Sequence, residues 1–147
     1  MKTGSLSLSS TCVLSLSACL VVSLAACSGI PLKERQDAQR AHYESYAGPP
    51  VDSFTWPGRY DSWQPIGTNE LVVWTNLEQA YLIKVAPPCE NLEFTNRIAL
   101  TSTANTVSAR FDFVKVGGGR WRCPIQEIRP VDYLRMRQAI DSRAPAG

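Results

Sequence analysis

Short runs in which apolar and polar residues alternate fill the chain from Tyr60 onward, and turn residues separate them. Alternation of this kind, rich in β-branched and aromatic residues, is typical of half-buried β-strands. We therefore predict strands at 60–66, 71–75, 79–85, 97–102, 106–116 and 120–128. They indicate a mostly β fold, namely a small antiparallel curled sheet or barrel of about six strands. Alternation alone does not distinguish a curled sheet or barrel from a sandwich or an open meander.

The clearest alternation lies in the predicted strand 106–116. One face carries Val107, Ala109, Phe111 and Phe113, and the other carries Ser108, Arg110 and Asp112. If the turn at 117–119 places Val116 opposite Arg120, Phe113 faces Cys123 and Asp112 lies diagonal to Arg122. This register predicts a buried Cys123. The polar side chains, together with one tryptophan, form the predicted interaction surface: Arg110, Asp112, Arg122 and Trp63.

A short C-terminal helix is predicted after Asp132, whose side chain can cap its first turn. Tyr133, Met136 and Ile140 would share the face that docks on the sheet. Arg135, Arg137 and Arg143 give the other side a basic character. We expect a solvated face there, rather than a docking site for anionic lipid or cell-wall material.

The N-terminal segment has the order of a bacterial lipoprotein signal peptide. Lys2 is followed by an apolar stretch from Val13 to Leu24 and then by Leu24-Ala25-Ala26-Cys27, a lipobox. We predict that residues 1–26 are removed and that Cys27 is lipidated. Leu16-Ser17-Ala18-Cys19 fits the same pattern less well, because little apolar sequence precedes it. A plain signal peptide with Cys27 as an incidental thiol is the other alternative.

Residues 27–58 are predicted to be an anchor and a helical or flexible tether, residues 59–143 the β domain and residues 144–147 a disordered tail. Pro31 and the polar run 32–41 suggest a marginal helix, and Gly48-Pro49-Pro50 would end it. Because its apolar content is thin, we expect a solvated spacer rather than a partner-binding helix.

The cysteines that remain after this assignment predict a disulfide bond. Cys12 and Cys19 leave with the signal peptide and Cys27 carries lipid, so Cys89 and Cys123 are left to pair in an oxidising compartment. No metal site is expected, because the single histidine, His42, lies in the predicted tether.

Composition and motifs argue against several classes of function. The formal net charge is +2, so no nucleic-acid partner is expected. No Gly-x-Ser-x-Gly element is present, and Gly117-Gly118-Gly119 lacks the residues of a phosphate-binding loop. We therefore predict no cofactor, no catalytic residues and no enzyme. Carboxylates remain the only material for a weak hydrolase: Asp61, Glu70, Asp112 and Glu127.

Several short motifs resemble a family of small, uncharacterised envelope proteins of Gram-negative bacteria that is classed as a domain of unknown function. The motifs are Asp61-Ser62-Trp63, Gln79-Ala80-Tyr81-Leu82, Pro88-Cys89-Glu90-Asn91-Leu92, Ala109-Arg110-Phe111-Asp112 and Cys123-Pro124-Ile125-Gln126-Glu127-Ile128. The resemblance covers Tyr60 to Leu134 and implies no activity. By similarity to lipoprotein sorting patterns, Ser28 after the lipidated cysteine implies the outer membrane, facing the periplasm.

The predicted function is that of a lipid-anchored envelope protein with a non-catalytic binding or interaction module. Its partners would be the membrane, through the lipid, and an unknown periplasmic protein or cell-wall component. An inhibitor of a cell-wall-degrading enzyme is the first alternative, and the carboxylate-based hydrolase is the second. A protruding polar loop would favour inhibition, a pocket lined by Trp and Arg would favour ligand binding, and converging carboxyls would favour catalysis.

Overall fold

A computed structural model describes residues 31–142. The predicted signal peptide, Cys27 and the tail 144–147 lie outside this range. The elements, in chain order, are α1 (Leu32–Tyr46), β1 (Ser53–Thr55), β2 (Ser62–Gly67), β3 (Glu70–Trp74), β4 (Ala80–Val85), β5 (Ile98–Leu100), β6 (Thr106–Ser108), β7 (Phe113–Val116), β8 (Trp121–Val131) and α2 (Tyr133–Asp141). Neither described helix is long and apolar enough to cross a membrane.

Six strands form one antiparallel sheet in the order β2-β3-β4-β8-β7-β5, curled into a half-barrel. β1 and β6 pair separately as a two-stranded ribbon. The predicted mostly β fold with a curled sheet and a short C-terminal helix is confirmed. The hairpin between β3 and β4 turns in the gap between the predicted strands 71–75 and 79–85, where the Asn76 side chain accepts from the backbone N–H groups of Glu78 and Gln79.

The central strands are buried on both faces. On one face, which we call the ribbon-side core, Leu71, Ile83 and Ile128 are fully buried beneath Phe54 of β1 and Val107 of β6. Successive residues of a strand point to opposite faces, so the neighbours of these side chains enter a second core. This arrangement gives three layers: ribbon, sheet and helices.

The second face, the helix-side core, joins β3 and β4 to both helices. Its buried members are Tyr43, Ile66, Val72, Trp74, Ala80, Leu82, Val131 and Met136. α1 buries a single side chain, Tyr43, whose ring meets Trp74 edge-on at 6.1 Å between centroids. Tyr46 and Ala47 are partly buried against the same core, so the helix docks through its C-terminal turn rather than through a broad apolar stripe.

The residues expected to form a tether therefore belong to the domain from Leu32 onward. α1 packs on the sheet, and Phe54 and Trp56 are buried in the ribbon-side core. In the segment between α1 and β1, the backbone N–H groups of Gly48 and Val51 donate to the carbonyl oxygens of Pro130 and Ile128 of β8, each at 2.8 Å. The tether was expected because the apolar residues of this segment are few, yet Tyr43, Phe54 and Trp56 are buried, whereas Leu32 is exposed.

Arg129 of β8 holds the end of α1. Its Nε donates to the Gly48 carbonyl at 2.8 Å and its Nη2 to the Ala47 carbonyl at 3.1 Å. Carbonyls at a helix C-terminus lack partners within the helix and favour a cation. The α1 segment is thus bonded to β8 by both backbone and side chain.

The single strand predicted at 106–116 is wrong. β6 ends at Ser108, a turn occupies residues 109–112, and β7 begins at Phe113. Asp112, expected on the polar face, is only 6% exposed, whereas Phe111, expected in the core, is 79% exposed. The buried carboxylate causes this inversion, because it accepts hydrogen bonds that close the turn.

The predicted register of the β7–β8 hairpin is also wrong by one residue. Val116 pairs with Trp121, and Val114 rather than Phe113 pairs with Cys123. All three glycines have positive φ, from 61° to 91°, and Arg120 joins them in the turn. A shift of one residue moves a strand's side chains to the opposite face, so Phe113 lies on the outer face beside Lys115.

Cys89 and Cys123 form the predicted disulfide bond, 34 residues apart in sequence. Both are buried in the ribbon-side core, at 6% and 3% exposed. Cys123 is therefore inward-facing, as predicted, although its cross-strand neighbour is Val114. The bond ties the loop after β4, with its buried Leu92, to the last strand.

α2 follows the predicted capping rule. The Asp132 carboxylate accepts from the backbone N–H of Arg135 at 3.1 Å. Met136 is buried and Tyr133 is half-buried, whereas Ile140 is 50% exposed. The helix thus docks through its first turns, and its end extends away from the sheet.

Candidate functional site

A pocket lined by aromatic residues lies between the two helices and the edge of the sheet. Its volume is about 410 Å³, within the usual range for small-ligand sites. We call it the aromatic pocket. The two helices contribute Tyr43 of α1 and Tyr133 and Arg137 of α2. The sheet side contributes Asp61, the first three residues of β2 (62–64), Trp74 of β3 and Leu77 of the turn after β3.

Trp74 is the centre of the aromatic cluster. Its ring meets Tyr43 edge-on at 6.1 Å and Tyr133 edge-on at 5.6 Å between centroids. Edge-to-face contacts are favoured by the ring quadrupoles and fix the orientation of each ring. Because the three rings come from α1, β3 and α2, the packing of both helices determines the shape of the pocket.

Polar groups border the same rings. The Tyr43 hydroxyl donates to Gln64 Oε1 at 3.3 Å, and burial raises the pKa of Tyr43, with a smaller contribution from Tyr133. The phenol is therefore neutral at physiological pH. The Arg137 guanidinium lies 5.9 Å from the centre of the Tyr133 ring, and the exposed Asp61 lies at the rim of the pocket.

The indole N–H of Trp74 has no hydrogen-bond acceptor among the described residues, although it is buried. A buried donor without an acceptor carries a desolvation cost of about 1–3 kcal/mol. An acceptor that entered the pocket and moved the neighbouring rings slightly would remove that cost. Among the described side chains that line the pocket, this indole nitrogen is the only buried nitrogen without a hydrogen-bond partner.

The four residues of the predicted interaction surface are dispersed. Trp63 is half-buried, packs against the ribbon-side core and lines the aromatic pocket. Arg110 lines a different cavity, of about 500 Å³, and Arg122 lines a third, of about 470 Å³. Asp112 is buried and supports the turn that carries Arg110. They do not form one continuous patch.

The turn at 109–112 presents Arg110 and Phe111 to solvent. Arg110 has a φ of 70°, a conformation that costs a non-glycine residue about 1–2 kcal/mol. Its backbone N–H donates to Ile125 at 2.7 Å, and Asp112 accepts from the Thr101 hydroxyl at 2.7 Å. A strained turn is thus held rigidly while its two largest side chains stay exposed.

The carboxylates considered for a hydrolase do not converge. In the five cavities described for residues 31–142, Asp61 and Glu127 line different cavities, and Glu70 and Asp112 line none. Glu70 lies near two cations, Arg40 at 3.7 Å and Lys84 at 3.9 Å. Within the same residues, no group of His, Cys, Asp or Glu side chains is arranged to hold a metal ion.

Sequence reasoning did not find the aromatic pocket as a site, although Trp63 was a candidate. The other aromatic residues that line it are Tyr43, Trp74 and Tyr133, which come from three segments far apart in the chain. Tyr43 was assigned to the tether, where no partner for it was expected. A hint was available in the sequence, because Tyr43 and Tyr46 are the only large apolar side chains in the second half of an otherwise polar helix.

The comparisons with known proteins identify a family but no function. The sequence profile of a "Family of unknown function (DUF6491)" matches residues 10–147, and the chain belongs to that family. The match is wider than the stretch from Tyr60 to Leu134 that carried the resemblance, and it includes α1. No curated protein and no solved structure matches the chain.

Proposed function

We propose that this member of a family of unknown function is a lipid-anchored, non-catalytic binding module of the cell envelope whose aromatic pocket binds a cell-wall glycan. The observation that carries the proposal is the pocket itself, in which three packed aromatic rings, two amide or carboxyl groups and a guanidinium border one cavity. A pocket lined by Trp and Arg was the feature expected of a ligand-binding module.

The chemistry of the lining fits a sugar ring. Sugars present an apolar C–H face, which packs on aromatic rings, and a rim of hydroxyl groups, which need donors and acceptors. Tyr133, half-buried and exposed in part to the cavity, supplies a ring face. Gln64, Asp61 and Arg137 supply hydrogen-bonding groups around it. The unsatisfied Trp74 indole N–H is a further donor for a hydroxyl oxygen.

The variant Tyr133→Leu tests the pocket. It keeps an apolar side chain against Trp74 but removes the ring, so we expect binding of a soluble oligosaccharide of N-acetylated amino sugars to weaken about tenfold, which corresponds to ~1.4 kcal/mol. Isothermal titration calorimetry on the purified full chain measures the change. The matched control is Trp121→Leu, which removes an aromatic ring that is 38% exposed at the start of β8, outside the pocket.

If wild type and Tyr133→Leu bind the oligosaccharide with equal affinity, the aromatic pocket is not the binding site. The same conclusion follows if Trp121→Leu weakens binding as much as Tyr133→Leu does. A urea titration of each variant separates loss of the ring from loss of the fold. If the oligosaccharide does not bind the wild-type chain at all, the glycan proposal is wrong.

The anchor rests on the lipobox at Cys27, outside the described residues. Mass spectrometry of the membrane-extracted protein is expected to find an acylated Cys27 at the mature N-terminus, and Cys27→Ala to release the protein from the membrane fraction. Cys19→Ala is the matched control and should leave the anchor intact. A mature N-terminus at another residue, without lipid, would refute the anchor.

A second candidate, inhibition of a cell-wall-degrading enzyme, is favoured by the rigid turn that presents Arg110 and Phe111. Protein interfaces are enriched in arginine and aromatic side chains. An inhibitor would reduce the activity of a lysozyme, and Phe111→Ala would abolish that reduction while leaving oligosaccharide binding unchanged. Unchanged lysozyme activity with the wild-type chain would exclude that enzyme as its target.

A further inference from the structure

A second cavity lies at the opposite end of the sheet, where β5, β7 and β8 meet. Its volume is about 470 Å³, and its lining residues are Arg97, Ile98, Ala99, Lys115, Gly118, Gly119 and Arg122. Three of these carry positive charge and none carries negative charge. We call it the basic cleft.

Two of the three cations lie directly opposite each other in the sheet. Lys115 of β7 pairs with Arg122 of β8, and on its other side Lys115 pairs with Ala99 of β5. Like charges at directly opposite positions of an antiparallel pair are destabilising. Arg97, just before β5, adds a third positive charge to the same cleft. The sheet therefore concentrates repulsion at this position.

No described carboxylate relieves that repulsion. The ion pairs formed by Arg40, Lys84 and Arg135 include no residue of the basic cleft. The Arg122 guanidinium instead lies 4.8 Å above the ring of Phe113, which orients the side chain without neutralising it. The cations thus stay available to an anion from outside.

At the rim of the cleft, the main chain of the glycine turn is not covered by side chains. Gly118 and Gly119 have φ values of 74° and 91°, and a Cβ atom added to either would meet nothing within 4 Å. A glycine turn of this kind lets a ligand approach the main chain closely. Arg97 and Arg122 are exposed, and Lys115 is half-buried, so the charges are accessible beside that open turn.

We propose that the basic cleft binds a phosphate-bearing anion. Phosphate oxygens accept several hydrogen bonds at once, and the guanidinium groups of Arg97 and Arg122 donate them in a planar, two-pronged geometry that suits phosphate. Lys115 between them supplies a further positive charge. The proposal is independent of the aromatic pocket, with which the cleft shares no lining residue.

The test uses four soluble probes on the purified full chain: inorganic phosphate, glycerol phosphate, dihexanoyl phosphatidylglycerol below its micelle concentration, and dihexanoyl phosphatidylcholine as the zwitterionic control. We expect binding of at least one anionic probe, weaker binding of the phosphatidylcholine, and loss of affinity as NaCl is raised. Binding of inorganic or glycerol phosphate identifies a free phosphate as the ligand, and binding of the phosphatidylglycerol alone identifies a lipid headgroup.

Charge-removing variants locate the binding. Each of Arg97→Gln, Lys115→Gln and Arg122→Gln is expected to weaken it about two- to fivefold, and the triple variant at least tenfold. The matched control removes three positive charges elsewhere, through Lys33→Gln, Arg59→Gln and Arg135→Gln, and should change the affinity less than twofold. Because the altered side chains are exposed or half-buried, the variants should unfold at nearly the same urea concentration as wild type.

Two results would overturn the proposal. One is the absence of saturable binding for every anionic probe at low salt. The other is an equal loss of affinity in the cleft triple variant and the control triple variant, because binding would then reflect overall charge rather than this cleft.

Discussion

Replacing Cys89 and Cys123 together by alanine is expected to lower the free energy of unfolding by about 3–4 kcal/mol, the value that chain entropy gives for a loop of this length. The bond spans 34 residues, and its loop contains β5, β6 and β7. Without the bond, the unfolded chain has a higher conformational entropy, so folding loses more entropy. Urea titration of the double variant and of wild type measures the difference.

A control for this experiment is chemical reduction. A reductant should lower the free energy of unfolding of wild type by nearly the same amount as the double substitution does. The double variant should have the same free energy of unfolding with and without the reductant. Two reactive thiols in a titration of the unreduced protein, or a loss below about 1 kcal/mol, would contradict the structural role of the bond.

Asp112→Ala is expected to lower the free energy of unfolding by about 2–4 kcal/mol, because two partly buried donors lose a buried acceptor. The Thr101 hydroxyl donates to Asp112 Oδ1 at 2.7 Å, and the backbone N–H of Ser108 donates to Oδ2 at 2.8 Å. These bonds tie the end of β5 and the end of β6 to the turn. The turn that presents Arg110 and Phe111 should then become mobile.

Asp112→Asn should lower the free energy of unfolding less than Asp112→Ala does, because its amide keeps one oxygen that accepts a hydrogen bond. The loss is not zero, since an N–H₂ group replaces the other acceptor. Asp141→Ala removes an exposed carboxylate at the end of α2 and should change stability by less than about 0.5 kcal/mol. Equal stability of wild type and Asp112→Ala in urea would show that the turn does not depend on this carboxylate.

The elements of the main sheet could be predicted from the sequence because each depends on local information. Alternation located the strands, the gap between the predicted strands 71–75 and 79–85 located the hairpin, and Asp132 marked the start of α2. Pairing of the last two cysteines followed from counting thiols. None of these inferences required knowledge of which strands are neighbours.

The errors arose where a long-range contact decided the local conformation. Alternation from Val107 to Phe113 fits a continuous strand, but burial of the Asp112 carboxylate against Thr101 breaks it at residues 109–112. In the glycine turn, inclusion of Arg120 shifts the register by one residue. α1 has too few apolar residues to signal docking, which depends on contacts with distant residues such as that of Tyr43 with Trp74 and that of Arg129 with the end of the helix.

The candidate sites depend on the same long-range contacts. The aromatic pocket requires α1 on the sheet, and the basic cleft requires the observed register, which places Lys115 opposite Arg122. With the predicted register, Lys115 would have faced Trp121. Residue types at the two sites were visible in the sequence, but their convergence was not.

The most direct test of glycan binding is nuclear magnetic resonance of the tryptophan indole N–H groups in the ¹⁵N-labelled full chain, during titration with a soluble cell-wall oligosaccharide. The indole signals of Trp63 and Trp74, which line the aromatic pocket, should shift saturably. Those of Trp56, buried in the ribbon-side core, and Trp121, outside the pocket, should stay in place. No shift of the Trp63 and Trp74 signals, or a larger shift at Trp121, would contradict the account.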